Sequence, residues 1–479
     1  MRSMPADFSR WEDRLVLLGS LLLAGLLFGL LHERGFDDPY ITYRYAVNIA
    51  QGQGFVYNVG ERVLSTTAPL YALLLAFGAW VGVDVPLTSN ALGCLSLALG
   101  GLIFWHLGKT WNARLVGMTG LLLYPTAPLL LPTLGAEVIV AVTFILAGFL
   151  FYAQRRYMLV AVVLAPATLI RADSVLAVGV LGGHWLLYRR HALPWRALLL
   201  YGLLLLPWFG FAWRYFGAPL PVTLAAKQRQ GLMAISESFF TGFRAILAGY
   251  WHNPQYHPHV LLSLLGLLHL PACRRRWLLL LVWNGLYIAA YTALGVTRYF
   301  WYYGPLAVGY VTLIGLGVTL IARLLRRRVG RGWTGGLVAL LLLLLLMPQV
   351  YGLAYLHRTS DARLGIYRTV GEWLRVHTPP DAGVGTLEVG IIGYYAERQM
   401  IDFAGLLQPA TALHLTPTTT YQDAALWSFT HFRPTHLVLH AGMLPRLEAD
   451  PLFQQHCQSV ATFDAADYAG QLTVYACRW

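Results

Sequence analysis

Apolar runs separated by short polar stretches recur from Leu15 to Tyr351, and beyond Tyr351 the pattern stops. The runs fall near 15–31, 68–82, 86–108, 114–132, 137–153, 157–170, 174–188, 197–213, 258–272, 277–294, 304–322 and 333–351. A helix needs about 20 apolar residues to cross a bilayer, so the runs predict a mostly α fold, a polytopic membrane bundle of roughly 11 to 13 spans. After residue 351 polarity is mixed, Pro379-Pro380 interrupts the chain, and short β-rich runs occur at Val384–Val389, His436–His440 and Gln471–Ala476. These features predict a small soluble α/β domain over 352–479, following a transmembrane domain over 1–351.

Composition supports a lipid environment. Hydrophobic residues make up 57% of the 479 and charged residues 12%, about half of what a soluble domain carries. Mean hydropathy is +0.55. Such a chain cannot cover itself with polar surface. The 35 Lys+Arg against 22 Asp+Glu give a net charge of +13, which in a soluble chain would suggest a nucleic-acid partner. Here the arginines sit in clusters between apolar runs, so the charge reads as topology, with membrane lipids and no nucleic acid as partners.

Lys and Arg near span ends resist translocation, so Arg155-Arg156, Arg189-Arg190, Arg274-Arg275-Arg276 and Arg326-Arg327-Arg328 are expected on the cytoplasmic face of the plasma membrane. Counting spans then places Arg171 and Asp173, the loop 214–257, the turn 295–303 and the whole C-terminal domain outside. One step does not close. Lys109 to Arg114 looks cytoplasmic, yet two runs, 68–82 and 86–108, separate it from an outer loop 32–67. Either one of those runs does not cross or the assignment of 109–114 fails. The first run is followed by His32-Glu33-Arg34, not by a small-residue cleavage site, and reads as the first span.

Four cysteines without a CxxC pair exclude a disulfide scaffold and a Cys-built zinc site. Cys94 and Cys273 lie in or beside spans and are expected to be inert. Cys457 and Cys477 become natural disulfide partners if the C-terminal region is extracytoplasmic.

Most unexpected polar groups fall on the assigned outer side. In the first outer loop, Asp38-Pro39 is a helix-start signal, and Gly52 and Gly54 would end the short surface helix it opens. Asp38 has a structural role available as N-cap; Asp37 has none. A carboxylate at the membrane-water boundary can take a proton from an attacking hydroxyl, and paired acids raise one another's pKa.

The 27 positions from Asp37 to Val63, beginning Asp-Asp-Pro-Tyr-Ile-Thr-Tyr-Arg, resemble the first outer loop of the GT-C glycosyltransferases. They are most similar to the mycobacterial terminal arabinofuranosyltransferase branch and its relatives. Further along, Gly135-Ala136-Glu137 is similar to that family's Gly-x-Glu, and Leu169-Ile170-Arg171-Ala172-Asp173 to its Leu-x-Arg-Pro-Asp/Glu turn, with Ala172 replacing Pro. Arg298 to Pro305 resembles its Arg-and-aromatic turn. Gly390 to Tyr395, followed by Ile401-Asp402 to Leu406, resembles the start of its outer domain. The segment Leu64-Ser65-Thr66-Thr67-Ala68-Pro69-Leu70 departs from the family's usual Glu-Gly-Tyr-Thr-Ser/Asn-Pro-Leu, which bears on the choice of sugar or acceptor.

The resemblance implies an integral-membrane enzyme that moves a sugar, arabinofuranose, mannose or similar, from a polyprenyl-phosphate donor to a glycan, lipid or protein hydroxyl of the cell envelope. It implies Asp37, with Asp38, as base in a single displacement with inversion. The departing phosphate would be met by cations from Arg44, Arg171, Lys227, Arg229 and Arg298, with Tyr40, Glu137, Asp173, Tyr302 and Tyr303 lining the substrate. Each has a plainer reading: Arg171 paired with Asp173, Lys227 and Arg229 as loop charges, Arg298 as an interfacial anchor among aromatics, Glu137 as a helix N-terminal acid.

No Walker A or Gly-x-Gly-x-x-Gly occurs, and no cofactor is expected. His252, His257 and His259 share one outer loop and offer a loosely spaced set for a divalent ion. In the C-terminal domain Tyr394, Tyr395 and Asp402 suit either a glycan groove or the core. A lipid-linked-substrate transporter and a non-catalytic assembly protein are the competing classes. The notable charges lie at span ends and no internal repeat is visible, which disfavours the transporter.

Overall fold

The computed structural model describes residues 6–188, 193–272, 276–359, 361–466 and 468–479. Arg189, Arg190, Cys273, Arg274 and Arg275, which entered the topology argument, lie outside the described residues. The chain forms a helical bundle up to Arg358 and then a small domain containing a five-stranded sheet. Among the described residues four helical segments are long and apolar enough to cross a membrane, and six further apolar helices have 10–17 residues. The protein is a multi-pass membrane protein.

Three contacts fix the direction of the first part. The helix Ala6–Leu31 meets the helix Val85–Thr110 at both ends. Near one end Asn90 Nδ2 donates to the carbonyls of His32 (2.6 Å) and Arg34 (2.7 Å), and at the other Lys109 Nζ lies 2.8 Å from the Asp13 carboxylate. The two helices are therefore antiparallel and consecutive crossings. The run 68–82 does not cross between them: it forms the helix Pro69–Trp80, whose 12 residues span about 18 Å against a hydrocarbon core of about 30 Å. The sequence count fails to close at this short helix, and Lys109 to Arg114 sits with Asp13 and Glu12 on the face opposite the C-terminal domain. That face is called the far side below.

A second departure is the run 114–132. The helix ends at Leu123, and residues up to the next helix at Val138 are irregular apart from one 3-10 turn. Pro125, Pro128 and Pro132 each remove a backbone donor that a continuing helix requires.

The last helical segment, Ala307–Arg358, is broken at Gly330 (φ 79°, ψ 179°) into two arms. Both pack on the helix His257–His269: Gly317 lies against the Leu262 backbone, and the Leu345 carbonyl faces His259 Nε2 at 2.9 Å. The arms thus run back to back, with the turn on the far side. The second arm returns to the domain side, where His357 Nδ1 lies 2.9 Å from the Leu30 carbonyl and Arg34 bonds the carbonyls of Leu356 and Thr359.

The sheet order is β2-β1-β3-β5-β4, with β1 Gly383–Thr386, β2 Gln399–Asp402, β3 His436–His440, β4 Cys457–Asp464 and β5 Gln471–Cys477. Strand β1 is parallel to β2 and β3, while β5 is antiparallel to β3 and β4. Cys457 and Cys477 face one another across β4 and β5 and form a disulfide; Cys94 is free and buried. The apolar run Val384–Val389 is strand only to Thr386, because Leu387 to Gly390 leave the sheet to meet the first outer loop. The domain is not a separate bead: Tyr45, Tyr57 and Tyr71 from the first outer loop and its next helix share one hydrophobic core with Tyr367, Val384, Ile392 and Met400.

Candidate active site

The helix expected after Asp38 is Pro39–Ala50, with Pro39 at its first turn. Asp38 does not cap it: its backbone is already helical and its side chain bonds no helix amide. The carboxylate instead faces Lys227, with Oδ1 3.2 Å from Nζ. Lys227 comes from the helix Thr223–Leu232, docked by Thr223 Oγ1 on the Ser65 carbonyl (3.0 Å) and by the Val222 amide on the Leu64 carbonyl (3.0 Å). Three rings surround the ammonium, Tyr299, Trp301 and Tyr302, at 5.1, 5.2 and 5.8 Å from their centroids. Burial opposes its charge, but the Asp38 carboxylate, Tyr302 and Glu137 together outweigh that and hold the Lys227 pKa above its ordinary value.

A second charged group closes the other wall. The turn Gly135-Ala136-Glu137 is gripped by Ser89 Oγ on the Gly135 carbonyl (2.6 Å) and by the Tyr43 hydroxyl on the same atom. Glu137, fixed there, does not cap its own helix and accepts from Arg171 Nη1 at 2.8 Å. Arg171, extended at the end of the helix Tyr157–Ile170, also meets Asp173 at 2.6 Å and the Tyr291 hydroxyl at 2.8 Å. Tyr291 in turn donates to Asp173 at 2.5 Å.

Asp38, Lys227, Glu137, Arg171, Asp173 and Tyr302 all border one cavity of about 280 Å³. Its apolar walls come from Ile41, Leu64, Trp208, Phe209 and Leu224. Asp38 keeps a third of its side chain exposed, whereas Lys227 keeps 10% and Arg171 8%. A proton acceptor open to the cavity thus faces two held cations among apolar surfaces. Leu64, Ser65, Thr66, Thr67 and Pro69 also border the cavity, so the segment that departs from the family pattern is part of its wall.

Asp37 sits elsewhere. Its carboxylate turns toward the C-terminal domain and accepts the amides of Ile391 (2.7 Å) and Gly390 (3.1 Å). It is half-buried, and loss of solvent first, then the Glu388 carboxylate beside it, push its pKa well above the usual range. Glu388, which the sequence reading passed over, is raised too, again chiefly by burial. The acid coupled to Asp37 is thus Glu388 more than Asp38. Gly390 is required here, since a Cβ on it would collide with Asp37, and one on Gly393 would collide with the Tyr57 hydroxyl.

Other expected site residues lie outside the cavity. Arg44 is buried on the opposite side of its helix, near Tyr57 and Tyr394. Arg229 does not border the cavity, and Arg298 pairs with Glu237 at 2.6 Å in a half-exposed position. Tyr303 donates to the Phe239 carbonyl behind Tyr291 and Tyr302 and does not border the cavity. Tyr40 packs against Tyr43, Tyr394 and Tyr395, which places those two C-terminal tyrosines in an interface and not along a groove. Asp402 is fully buried, and its carboxylate takes the amides of Ala404 (2.7 Å), Leu407 (3.0 Å) and Leu406; burial pushes its pKa up to about 6 against those bonds. The three loop histidines lie on different backbone carbonyls, those of Ala248, Trp251 and Leu345, and among the described residues no three metal-ligating side chains gather. Sequence reading also missed Tyr291, Trp208 and Thr66, since ordinary aromatic and hydroxyl residues in apolar runs carry no local signal of a cavity.

The fold is shared with the solved structures of ArnT from Cupriavidus metallidurans. The structure matches ArnT from Cupriavidus metallidurans bound to undecaprenyl phosphate with a TM-score of 0.62 at 13% identity, covering 96% of this chain and 97% of that one. Against the apo form of the same protein the TM-score is 0.63 at 14% identity, with 98% of each chain covered. In sequence, 73 residues are 38% identical to the terminal beta-(1->2)-arabinofuranosyltransferase of Mycobacterium tuberculosis, a match spanning 15% of this chain and only 12% of that protein. Residues 355–475 match a family described as a domain of unknown function (DUF8728).

Proposed function

We propose that this protein is a glycosyltransferase that moves a sugar from a polyprenyl-phosphate donor to an acceptor hydroxyl, within the cavity between the first outer loop and the bundle. The observation that carries the reading is the opposition of Asp38 to Lys227 and the Arg171 cluster in one partly apolar space. The undecaprenyl phosphate held by ArnT, the structural match, supports a lipid phosphate as the donor's carrier.

In this reading Asp38, and not Asp37, is the base. It takes the acceptor's proton as the hydroxyl oxygen attacks the anomeric carbon. The bond from that carbon to the phosphate oxygen breaks, and the electron pair leaves with the polyprenyl phosphate. Lys227 turns from Asp38 to the phosphate, and Arg171 adds a second cation where negative charge accumulates. A single attack on the face opposite the leaving group inverts the anomeric centre. The phosphate leaving group is already activated, so the reaction requires no nucleotide, and the chain's own groups supply base and cations. The cavity and the C-terminal domain are assigned to the extracytoplasmic face of the plasma membrane, because the Arg326-Arg327-Arg328 cluster lies on the far side.

The test is transfer of radiolabelled sugar from a panel of polyprenyl-phosphate donors by the purified protein in detergent, wild type beside Asp38→Asn. Transfer from one donor that disappears in the variant supports the reading and names the sugar. Transfer unchanged in the variant overturns Asp38 as base, and transfer only from a nucleotide sugar overturns the donor class.

A further inference from the structure

On the far side, around the turn at Gly330, the bundle opens into a second cavity of about 660 Å³, unconnected with the chemistry above. It is bordered by both arms of the broken helix and by the helix Arg114–Leu123. Its mouth carries Arg323, Arg326 and Arg331, all exposed, and no acidic residue borders it. Among the described residues none of the three arginines has a carboxylate partner, whereas Arg114 nearby is paired with Glu12. Thr319 and Thr334 also border it, each spending its hydroxyl on a carbonyl of its own helix. Deeper in, the walls are Leu115, Leu122, Leu342 and Leu346.

Three uncompensated cations at one end of an apolar channel describe a specific kind of ligand. Arg331 and Leu346 are fifteen positions apart on one arm, about 22 Å along the axis, which is the reach of an acyl chain. A soluble anion would leave the leucine walls unfilled, and a neutral lipid would leave the arginines unmatched. Guanidinium groups suit phosphate oxygens through paired donors, and basic pockets between spans hold acidic lipid headgroups.

We infer that this cavity is a binding site for an acidic glycerophospholipid, with the headgroup phosphate on Arg323, Arg326 and Arg331 and acyl chain along Leu115, Leu122, Leu342 and Leu346. The lipid joins the two arms across the Gly330 turn. The site is independent of the donor cavity, which lies toward the opposite face.

Native mass spectrometry of the full chain, delipidated in detergent and titrated with phosphatidylglycerol, phosphatidylethanolamine or undecaprenyl phosphate, tests this directly. Wild type should retain phosphatidylglycerol at least tenfold more tightly than phosphatidylethanolamine, and the Arg323→Gln/Arg326→Gln/Arg331→Gln variant should lose that preference. Gly335→Leu provides an arm that leaves the charges in place. Gly335 borders the cavity and an added Cβ there meets nothing within 4 Å, so a leucine is expected to take up part of the void and release the lipid. Equal binding of both phospholipids, retention by both variants, or displacement of phosphatidylglycerol by undecaprenyl phosphate would each overturn the proposal.

Discussion

The two faces of the first outer loop differ more than their sequence suggests. One face, carrying Asp38, Ile41, Thr42 and Leu64 to Thr67, borders the cavity with a carboxylate that is partly open and matched to a cation. The other, carrying Asp37, Tyr45, Tyr57 and Asn58, is sealed against the C-terminal domain, where Asn58 pairs with the Met400 amide and carbonyl at 2.9 Å each. Adjacent acids therefore meet opposite environments. The lesson is that an acidic pair is not one structural unit: a single peptide bond separates a group that borders the cavity from a group that fixes the scaffold.

Replacing each acid in turn breaks the comparison most sharply. Asp38→Asn should lower transfer by about 10²- to 10⁴-fold, the range for loss of a general base, with a lowered melting temperature as well, because Lys227 loses its counter-charge. Asp37→Asn turns an amide toward the donors of Gly390 and Ile391, costing about 1–3 kcal/mol of stability, while transfer per folded molecule stays within an order of magnitude of wild type. Radiolabel transfer and thermal unfolding measured on the same preparations decide it; the reverse order of transfer losses would return the base to Asp37.

Lys227→Met keeps the length of the side chain and removes its charge. Loss of one preorganised donor at a developing anion costs about 10²- to 10³-fold in turnover. Since Asp38 and Lys227 face each other in the free protein, the double variant Asp38→Asn/Lys227→Met should lose less than the product of the two single losses. Strictly multiplicative losses would mean the pair acts through separate steps.

The legible part of this molecule was its periodicity. Apolar runs located the crossings, and alternation and Pro379-Pro380 located the sheet domain. The run 114–132 was misread because three prolines lie inside an otherwise apolar stretch, and 68–82 because hydropathy does not distinguish a helix that crosses from one that turns back. Of the residues that the resemblance implied, Asp38, Arg171, Lys227, Glu137, Asp173 and Tyr302 come together at one cavity, whereas Arg44, Arg229, Arg298 and Tyr303 do not border it. Sequence ranked Asp37 above Asp38 as the base, because Asp38 had a capping role available; which of the two faces a cavity depends on a partner some 350 positions away at Gly390, which the local pattern does not show. Glu388 was invisible for the same reason.

Gly390→Ala sharpens the comparison on the sealed face. The added methyl meets Asp37 and must push the loop and the domain apart; overpacking of this kind costs about 1–3 kcal/mol. Thermal unfolding should shift down by several degrees, and turnover should fall less than in Asp38→Asn, because the cavity is reached only through displacement of the loop. A variant as inactive as Asp38→Asn but fully stable would mean that the junction takes part in the chemistry.

The smallest expected effect is on pH dependence. Asp37 and Glu388 are both held above their ordinary pKa, chiefly by burial and with their mutual repulsion adding to Asp37. As pH rises from about 4, the unfolded chain releases these protons before the folded one does. Stability is therefore greatest at the acid end of that window and falls as pH climbs through the raised values. Asp402, raised to about 6, contributes with the same sign but is spent above that point. Above that point the slope that buried acids still contribute is expected from Asp37, the group raised well above its ordinary range. Glu388→Gln removes one ionisation and the repulsion on the other, so its melting temperature at pH 8 should exceed wild type by a few degrees, with little difference at pH 5. Parallel wild-type and variant curves across that range would show that the two carboxyls are not coupled, and that the sealed face is held by Asp37 and the two amides alone.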